Sequence, residues 1–320
     1  MHYDVFNGDA DGIIALLQLR LAEPKQSQLI TGVKRDIDLL KQIADKKDVE
    51  SVTVLDISME KNLTSLAKLL SNNTPVFYCD HHRTGEIPNS DFLKTAINLD
   101  AETCTSLLIN EKLNGQYVHW AITAAFGDNL LATAEKLAIE SGLNANEIAF
   151  LKELGTLINY NGYGASLDDL HIAPKTLYKT LLNYPDPFML KEDLGSPYYL
   201  LKAGYSEDNQ KVSAVKPVNE SDVSAFFLLP CAAWAIRISG VFGNELANRY
   251  PNRAHAVLTL NPSKQDYLVS VRAPLNNRIG ADEVCSLFKT GGGRKAAAGI
   301  NALPLNEFDL FTKALTDFYS

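Results

Sequence analysis

The sequence predicts an α/β protein in which a parallel-sheet domain is followed by a second, smaller α/β domain. The chain has 320 residues, which suits two hydrophobic cores better than one. Over about the first 130 residues, short β-branched or aromatic runs alternate with stretches of helical period. Proline, glycine and polar residues then accumulate around 185–224. We therefore expect domains over 1–185 and 225–320, joined by a linker over 186–224.

The first domain has five candidate strands, rich in β-branched and aromatic residues, at 3–6, 29–33, 52–55, 75–79 and 95–99. Apolar residues recur at helical spacing between the early strands, over 12–22, 36–45 and 60–70. Further helices are expected at 103–113, 117–126, 130–140 and 146–157. This alternation is typical of βαβ units around a parallel sheet.

The second domain begins with an expected helix and ends with another. Its elements are a helix at 231–249, strands at 254–260 and 267–272, a helix at 280–288, a glycine-rich loop, one more strand and a C-terminal helix. Basic residues outnumber acidic ones between 264 and 295. That local excess could receive a phosphate group.

Composition excludes several classes of protein. The net charge of -8 argues against a protein that coats duplex DNA, although a short anionic substrate fits. The four cysteines lie far apart without a CxxC pair, so we expect core residues rather than disulfides or a thiolate zinc site. No basic segment precedes an apolar stretch at the N-terminus and no apolar run reaches 18 residues, so we expect a cytoplasmic protein without a membrane partner.

Acidic and imidazole groups recur at the ends of predicted elements. "FNGDADG" supplies Asp9 and Asp11, "VTVLDIS" supplies Asp56, "VFYCDHH" supplies Asp80, His81 and His82, and "AAFGDN" supplies Asp128. Taken singly, such aspartates are often turn residues or helix caps. The carboxyl ends of parallel strands, however, converge on one crevice, so residues after different strands can meet in space.

Several carboxylates buried together need a cation, because each disfavours ionisation of the others and burial adds to the cost. Carboxylates with imidazole and without thiolate suit Mn²⁺, with Mg²⁺ as the second choice. The carboxylates also exceed what one ion needs. We therefore expect two ions, bridged by one carboxylate, in a site suited to displacement at phosphorus.

These segments resemble the DHH phosphoesterase superfamily, whose four N-terminal motifs match "NGDADG", "VLDIS", "CDHH" and "FGDN" in order. Near the other end, "VSVRAP", "GADEV" and "GGGRKAAAG" are similar to the DHHA1 substrate-binding domain. The resemblance leaves about 140–225 unassigned. It implies a catalytic DHH domain, a DHHA1-like domain and an active site in the cleft between them.

The resemblance also implies roles for individual residues. Asp9 and Asp56 would hold one Mn²⁺, whereas Asp11, Asp56, His81 and Asp128 would hold the other. Asp80 would orient an imidazole, and His82 would stabilise the phosphate or give a proton to the leaving oxygen. In the second domain the implied substrate-binding residues are Arg272, Gly291, Gly292 and Gly293, the glycines through their backbone N–H groups.

Two positions depart from the family pattern. Asn7 stands where relatives often have a histidine metal ligand, and an amide oxygen is a weaker ligand than imidazole. Arg294 stands where the family usually has histidine, and arginine suits substrate binding rather than proton donation because it keeps its charge.

The sequence thus predicts a manganese-dependent phosphoesterase that hydrolyses short single-stranded oligonucleotides, nucleotides or cyclic dinucleotides by a metal-activated hydroxide. The alternative is a catalytically weakened nucleotide-binding or regulatory protein of the same family, for which Asn7 and Arg294 are the motive. The segment "NYNGYG" (159–164) is expected to be a turn, with base stacking as its alternative. The choice between monomer and dimer stays open.

Overall fold

The structure of the protein, a computed structural model, describes residues 1–320. The chain divides into two compact units, Met1–Ala203 and Gly204–Ser320. None of its helices is both long enough and apolar enough to span a bilayer. The cytoplasmic location expected from the sequence stays a prediction.

A five-stranded parallel sheet forms the centre of the first unit. Its strands are β1 (His2–Phe6), β2 (Gln28–Ile30), β3 (Ser51–Leu55), β4 (Val76–Asp80) and β5 (Leu93–Ile97). They lie in the order β2-β1-β3-β4-β5, which confirms the predicted strands and their parallel pairing. The chain runs from β1 outward to β2 and returns on the other side of β1 as β3. A crevice is expected outside the carboxyl ends of the strands where their order reverses, here between β1 and β3.

Eight helices of the first unit lie between the strands of this sheet or follow its last strand in the chain. They are α1 (Ala10–Ala22), α2 (Met59–Ser71), α3 (Thr105–Lys112), α4 (Val118–Gly127), α5 (Leu131–Glu140), α6 (Ala145–Asn161), α7 (Pro174–Leu181) and α8 (Met189–Glu192). A ninth helix, α9 (Pro197–Val212), runs across the boundary between the two units. The helices expected from the apolar period between 103 and 157 are all present.

The helix predicted over 36–45 is wrong, because only a short 3-10 turn forms at Leu40–Gln42. The Asp36 side chain accepts a hydrogen bond from the Val33 backbone N–H (3.0 Å), which closes a turn instead of starting a helix. Asn62 of α2 then accepts from the Leu40 N–H (3.1 Å) and donates to the Ile37 carbonyl (2.7 Å). The backbone of this segment is irregular and is held by α2, and most of its apolar side chains are still buried.

The stretch expected as a linker, 186–224, contains α8 and α9. Pro197 is the first residue of α9, a position that proline favours because its missing N–H has no partner there. Proline therefore marks a helix start here. The functional domain boundaries at 185 and 225 stay predictions.

The second unit is built on a six-stranded mixed sheet of order β10-β11-β9-β8-β7-β6. Its elements are β6 (Asn219–Glu220), β7 (Ser224–Leu229), α10 (Ala233–Arg249), β8 (Ala254–Leu260), β9 (Asp266–Arg272), α11 (Ala281–Ser286), β10 (Gly291–Gly293), β11 (Ala297–Pro304) and α12 (Phe308–Tyr319). Strands β7 and β8 are parallel, and the other neighbours are antiparallel. The core lies between this sheet and the helices α11 and α12.

The glycine-rich segment is the edge strand β10 and not the loop that the sequence predicted. A Cβ on Gly291 would lie 1.7 Å from the Cys285 carbonyl oxygen, and Gly293 has a φ of 147°. Glycine therefore serves close packing and backbone freedom at these two positions. At Gly292 a Cβ would meet no atom within 4 Å, so the strand faces open space there.

Three helices of the first unit touch through their backbones. A Cβ on Gly155 of α6 would lie 2.1 Å from the Thr123 carbonyl oxygen of α4, and one on Gly127 would lie 2.6 Å from the Ala10 Cβ of α1. Ala10 lies between Asp9 and Asp11 in the sequence, and Gly127 precedes Asp128. The close approach of α1, α4 and α6 therefore sets the spacing between carboxylates that the sequence assigns to a metal site.

We expect Gly155→Ala to lower the free energy of unfolding by about 1–3 kcal/mol, because the added methyl group must push α6 away from α4. Urea unfolding followed by circular dichroism measures the change. Gly195→Ala is the matched control, since Gly195 is exposed and has an ordinary φ. Equal stability of the two variants would contradict the proposed backbone contact.

Candidate metal centre

Acidic side chains from three segments are buried where the carboxyl ends of β1, β3 and β4 meet. Asp9 caps the N-terminus of α1, where its Oδ1 accepts a hydrogen bond from the Gly12 N–H (3.1 Å). Asp11 lies in the first turn of α1, Asp56 follows β3, and Asp80 ends β4. These four residues are at most 3% exposed, so their carboxyl groups are almost completely removed from water.

His81 points a ring nitrogen at three of the carboxylates. Its Nδ1 lies 2.8 Å from the Thr103 carbonyl oxygen, which can only accept a hydrogen bond, so Nδ1 carries the proton. The unprotonated Nε2 lies 3.4 Å from Asp56 Oδ1, 3.7 Å from Asp11 Oδ2 and 3.9 Å from Asp128 Oδ2. Oxygens of three carboxylates therefore lie within 4 Å of one imidazole nitrogen.

Asp56 has the left-handed backbone conformation that non-glycine residues seldom adopt, with a φ of 58°. Its N–H donates to the Cys79 carbonyl (3.1 Å), which holds the residue at the ends of β3 and β4. Burial, followed by the negative charges of Asp11 and Asp9, raises the pKa of Asp56 well above its usual value. A residue with a strained backbone and a negative charge that its surroundings disfavour is typical of a functional position.

Asp11 is oriented by the N-terminus of α3. Its Oδ2 accepts from the Thr105 N–H (2.8 Å) and its Oδ1 from the Ser106 N–H (2.7 Å). The Thr105 hydroxyl also donates weakly to Asp56 Oδ1 (3.4 Å). Free N–H groups at a helix start favour a negative charge, so α3 fixes this carboxylate. The sequence motifs did not identify Thr105 and Ser106.

Asp80 pairs with His82 rather than with His81. His82 Nδ1 lies 2.7 Å from Asp80 Oδ1, and the His82 side chain is 26% exposed. Although burial acts to raise it, the pKa of Asp80 is lowered by the charge and hydrogen bond of His82. One ligand atom from each of Asp56, His81 and His82 lies within 4.8 Å of the others. His82 is therefore next to the carboxylate cluster and open to solvent.

Asp9 is joined to a residue that the motifs did not identify, Lys34. The Lys34 Nζ lies 2.5 Å from Asp9 Oδ2 and 2.9 Å from Asn159 Oδ1. Although burial acts to raise it, the pKa of Asp9 is lowered by the nearby Lys34 charge. Lys34 follows β2 as Asp9 follows β1, so extending the search at strand ends to basic residues would have found it.

Asn7, which the sequence resemblance names as a weak metal ligand, contacts the backbone of Lys34. Its Nδ2 donates to the Lys34 carbonyl (3.2 Å), while its buried Oδ1 has no hydrogen-bond partner. Asp80 Oδ2 is also buried without a partner. Buried oxygens of this kind are uncommon in folded proteins and frequently face an ion or water.

The donor set fits a divalent cation. It consists of carboxylate oxygens and an imidazole nitrogen, which suit Mn²⁺ or Mg²⁺. Burial raises the pKa of both neighbouring thiols, Cys79 and Cys104, so they stay neutral and do not act as thiolate ligands. All four cysteines of the chain are free thiols. Cys79, Cys104 and Cys285 are buried, as expected for core residues, but the expectation is wrong for Cys231, which is exposed.

The second unit uses Arg272 within its own fold. The guanidinium donates to Asn244 Oδ1 (2.5 Å) and to the carbonyls of Gly240 (3.0 Å) and Val271 (3.1 Å). Arg294 contributes its backbone N–H to a turn with the Ala297 carbonyl (2.8 Å). Substrate binding by these arginines and by Gly291–Gly293 stays a prediction.

No family model and no curated protein matches this chain. Solved structures do match over almost its whole length. The DHH domain of a protein described as a ribosomal-protein family member has a TM-score of 0.66 at 15% identity, covering 99% of this chain and 86% of its own. The exonuclease RecJ bound to manganese has 0.62 at 17%, covering 99% and 89%.

A pGpG-specific phosphodiesterase from Vibrio cholerae, PggH, has a TM-score of 0.56 at 15% identity, covering 100% of this chain and 99% of its own. Identities this low show a shared fold. The resemblance to DHH proteins stated from the sequence motifs is confirmed at that level.

We expect Asp56→Asn to raise the free energy of unfolding in EDTA by about 1 kcal/mol or more. The change removes a buried negative charge that neighbouring carboxylates destabilise. Asparagine also tolerates the left-handed conformation. The sign follows from the raised pKa of Asp56, since ionisation at neutral pH then costs the folded state more than the unfolded chain.

Urea unfolding with EDTA and with Mn²⁺ tests this, with Asp222→Asn as an exposed control. Mn²⁺ should stabilise the wild type and Asp222→Asn but not Asp56→Asn. Destabilisation of Asp56→Asn in EDTA would contradict the assignment.

Proposed function

We propose, from a fold shared with DHH-domain proteins, that this chain is a divalent-metal-dependent phosphoesterase acting on short oligonucleotides, nucleotides or dinucleotides. The observation that carries the proposal is the direction of His81 Nε2 toward Asp11, Asp56 and Asp128. Carboxylates buried without enough positive charge need a cation. A cation in such a site is suited to polarising a phosphate ester for hydrolysis.

In the proposed reaction Asp11, Asp56, Asp128 and His81 hold the cation. The bound cation would supply a water of lowered pKa and neutralise charge that develops on the phosphate. In the doubly protonated His82 ring, Nδ1–H would donate to Asp80 Oδ1, and the second proton, on Nε2, would pass to the leaving oxygen. The exposure of His82 lets this ring reach a substrate.

We propose Mn²⁺ as the preferred ion and Mg²⁺ as the second choice. An imidazole among the carboxylates favours Mn²⁺, because Mg²⁺ prefers oxygen donors and keeps most of its water. A similar structure, the exonuclease RecJ, is described as bound to manganese.

For the substrate we propose a short single strand or a dinucleotide. The acidic chain repels long nucleic acid, and two similar structures are an exonuclease and a pGpG-specific phosphodiesterase. Strand β10 would bind the phosphate through backbone N–H groups, since Gly292 has no side chain and faces open space. Arg294 would add a fixed positive charge.

A second candidate is a nucleotide-binding protein with weakened catalysis. The observation that favours it is the Lys34–Asp9 ion pair, which engages a carboxylate that the two-ion arrangement requires. Tight nucleotide binding without turnover would support this candidate.

Hydrolysis of bis(p-nitrophenyl) phosphate and of labelled di- to hexanucleotides, with Mn²⁺, Mg²⁺ or EDTA, tests the proposed function. We expect turnover that depends on the metal and falls at least about 10²-fold in Asp56→Asn. The variant would lose a carboxylate that holds the cation, and with it the positive charge that stabilises the transition state. Asp222→Asn should keep wild-type turnover. Turnover that persists in EDTA or in Asp56→Asn would refute the proposal.

We expect His82→Gln to slow hydrolysis of dinucleotides by about 10²–10⁴-fold, because an alkoxide leaving group needs a proton. Hydrolysis of bis(p-nitrophenyl) phosphate should fall much less, since nitrophenolate leaves without one. Mn²⁺ affinity, measured by titration calorimetry, should stay near the wild-type value. Equal losses on both substrates would contradict a proton-donating role and indicate a role in holding the metal.

A further inference from the structure

The Lys34 ammonium lies in a pocket made of groups that bind cations. Asp9 Oδ2 is 2.5 Å from Nζ, Asn159 Oδ1 is 2.9 Å away, and the centre of the Tyr163 ring is 5.3 Å away. A carboxylate, an amide oxygen and an aromatic face are each favourable to a positive charge. The side chain is 21% exposed. The Lys34 ammonium is therefore a largely buried, paired positive charge and not a solvated surface charge.

The backbone around Lys34 is fixed on both sides. Its N–H donates to the Gly162 carbonyl (2.8 Å), and its carbonyl accepts from Asn7 Nδ2 (3.2 Å). Two residues before Lys34, the Gly32 carbonyl oxygen would lie 1.8 Å from a Cβ on Gly8, so the two segments are in backbone contact. Asn7, at the position of the histidine ligand in relatives, thus holds the segment that carries the ammonium.

The carboxylates of the site differ in whether a positive charge already accompanies them. Asp9 has the Lys34 ammonium at 2.5 Å, whereas the basic partners of Asp56 are the imidazoles of His81 at 3.4 Å and His82 at 3.7 Å. A divalent ion beside Asp9 would have to displace the ammonium or lie within a few ångströms of it. Displacement would break the Lys34–Asp9 ion pair, and proximity would bring two positive charges close enough to repel.

We propose that the Lys34 ammonium replaces the cation that would otherwise lie between Asp9 and Asp56, so that the chain binds one divalent ion instead of two. That ion lies among Asp11, Asp56, Asp128 and His81. The inference rests on the proposed function for the nature of this remaining site. The ammonium adds a positive charge for the phosphate that no chelator removes, and Asn7 serves this lysine rather than a metal.

The number of Mn²⁺ ions bound per chain tests the inference. Equilibrium dialysis, with electron paramagnetic resonance of the free ion, gives it without any need for turnover. The wild type should bind one ion. Lys34→Met removes the ammonium but keeps an unbranched side chain, and the double variant Asn7→His/Lys34→Met also adds an imidazole. We expect the double variant to bind two ions.

Lys202→Met is the matched control, because its ammonium also pairs with a carboxylate, Glu153, at 2.8 Å but lies outside the site. It should bind one ion. Two ions in the wild type would overturn this inference while leaving the proposed function intact, and so would a double variant that folds and still binds one. No ion in the wild type would overturn both. Wild-type stoichiometry decides even where a variant fails to fold.

Discussion

Repulsion among buried carboxylates is the constraint on which the site depends. A parallel sheet brings the residues after its strands to one edge, and here several of those residues are acidic. The fold answers each charge locally: α3 directs two N–H groups to Asp11, His82 pairs with Asp80, and Lys34 pairs with Asp9. The pKa of Asp56 stays raised, so this carboxylate is the one that a bound cation would stabilise most.

Backbone packing makes this distribution of charge possible. Asp11 and Asp128 come from α1 and α4, which meet at Gly127, and α4 meets α6 at Gly155; side chains at these two glycines would hold the helices apart. Close approach brings Asp128 near His81 Nε2, and the same approach increases the repulsion that a cation must offset. Stability and ion binding are therefore opposed at this position, as is common where a site stores strain.

The sequence predicted the parts of the molecule that local pattern decides. β-branched runs gave the strands, and strand ends gave the acidic cluster. Prediction failed where tertiary contacts decide. Asn62 holds 36–45 as an irregular segment, and the glycine-rich segment 291–293 pairs with β11 instead of forming a loop. Lys34 was missed because the search at strand ends was limited to acidic and imidazole groups, and its second partner, Asn159, is distant in sequence.

The hydrogen bond from Asn7 to the Lys34 carbonyl joins the first acidic motif to the segment that carries the ammonium. Changing Asn7 to histidine would remove the amide that holds this segment. Changing Lys34 would leave Asp9 buried without its counter-charge. Because both changes act on the same ion pair, their effects on stability are expected to be non-additive.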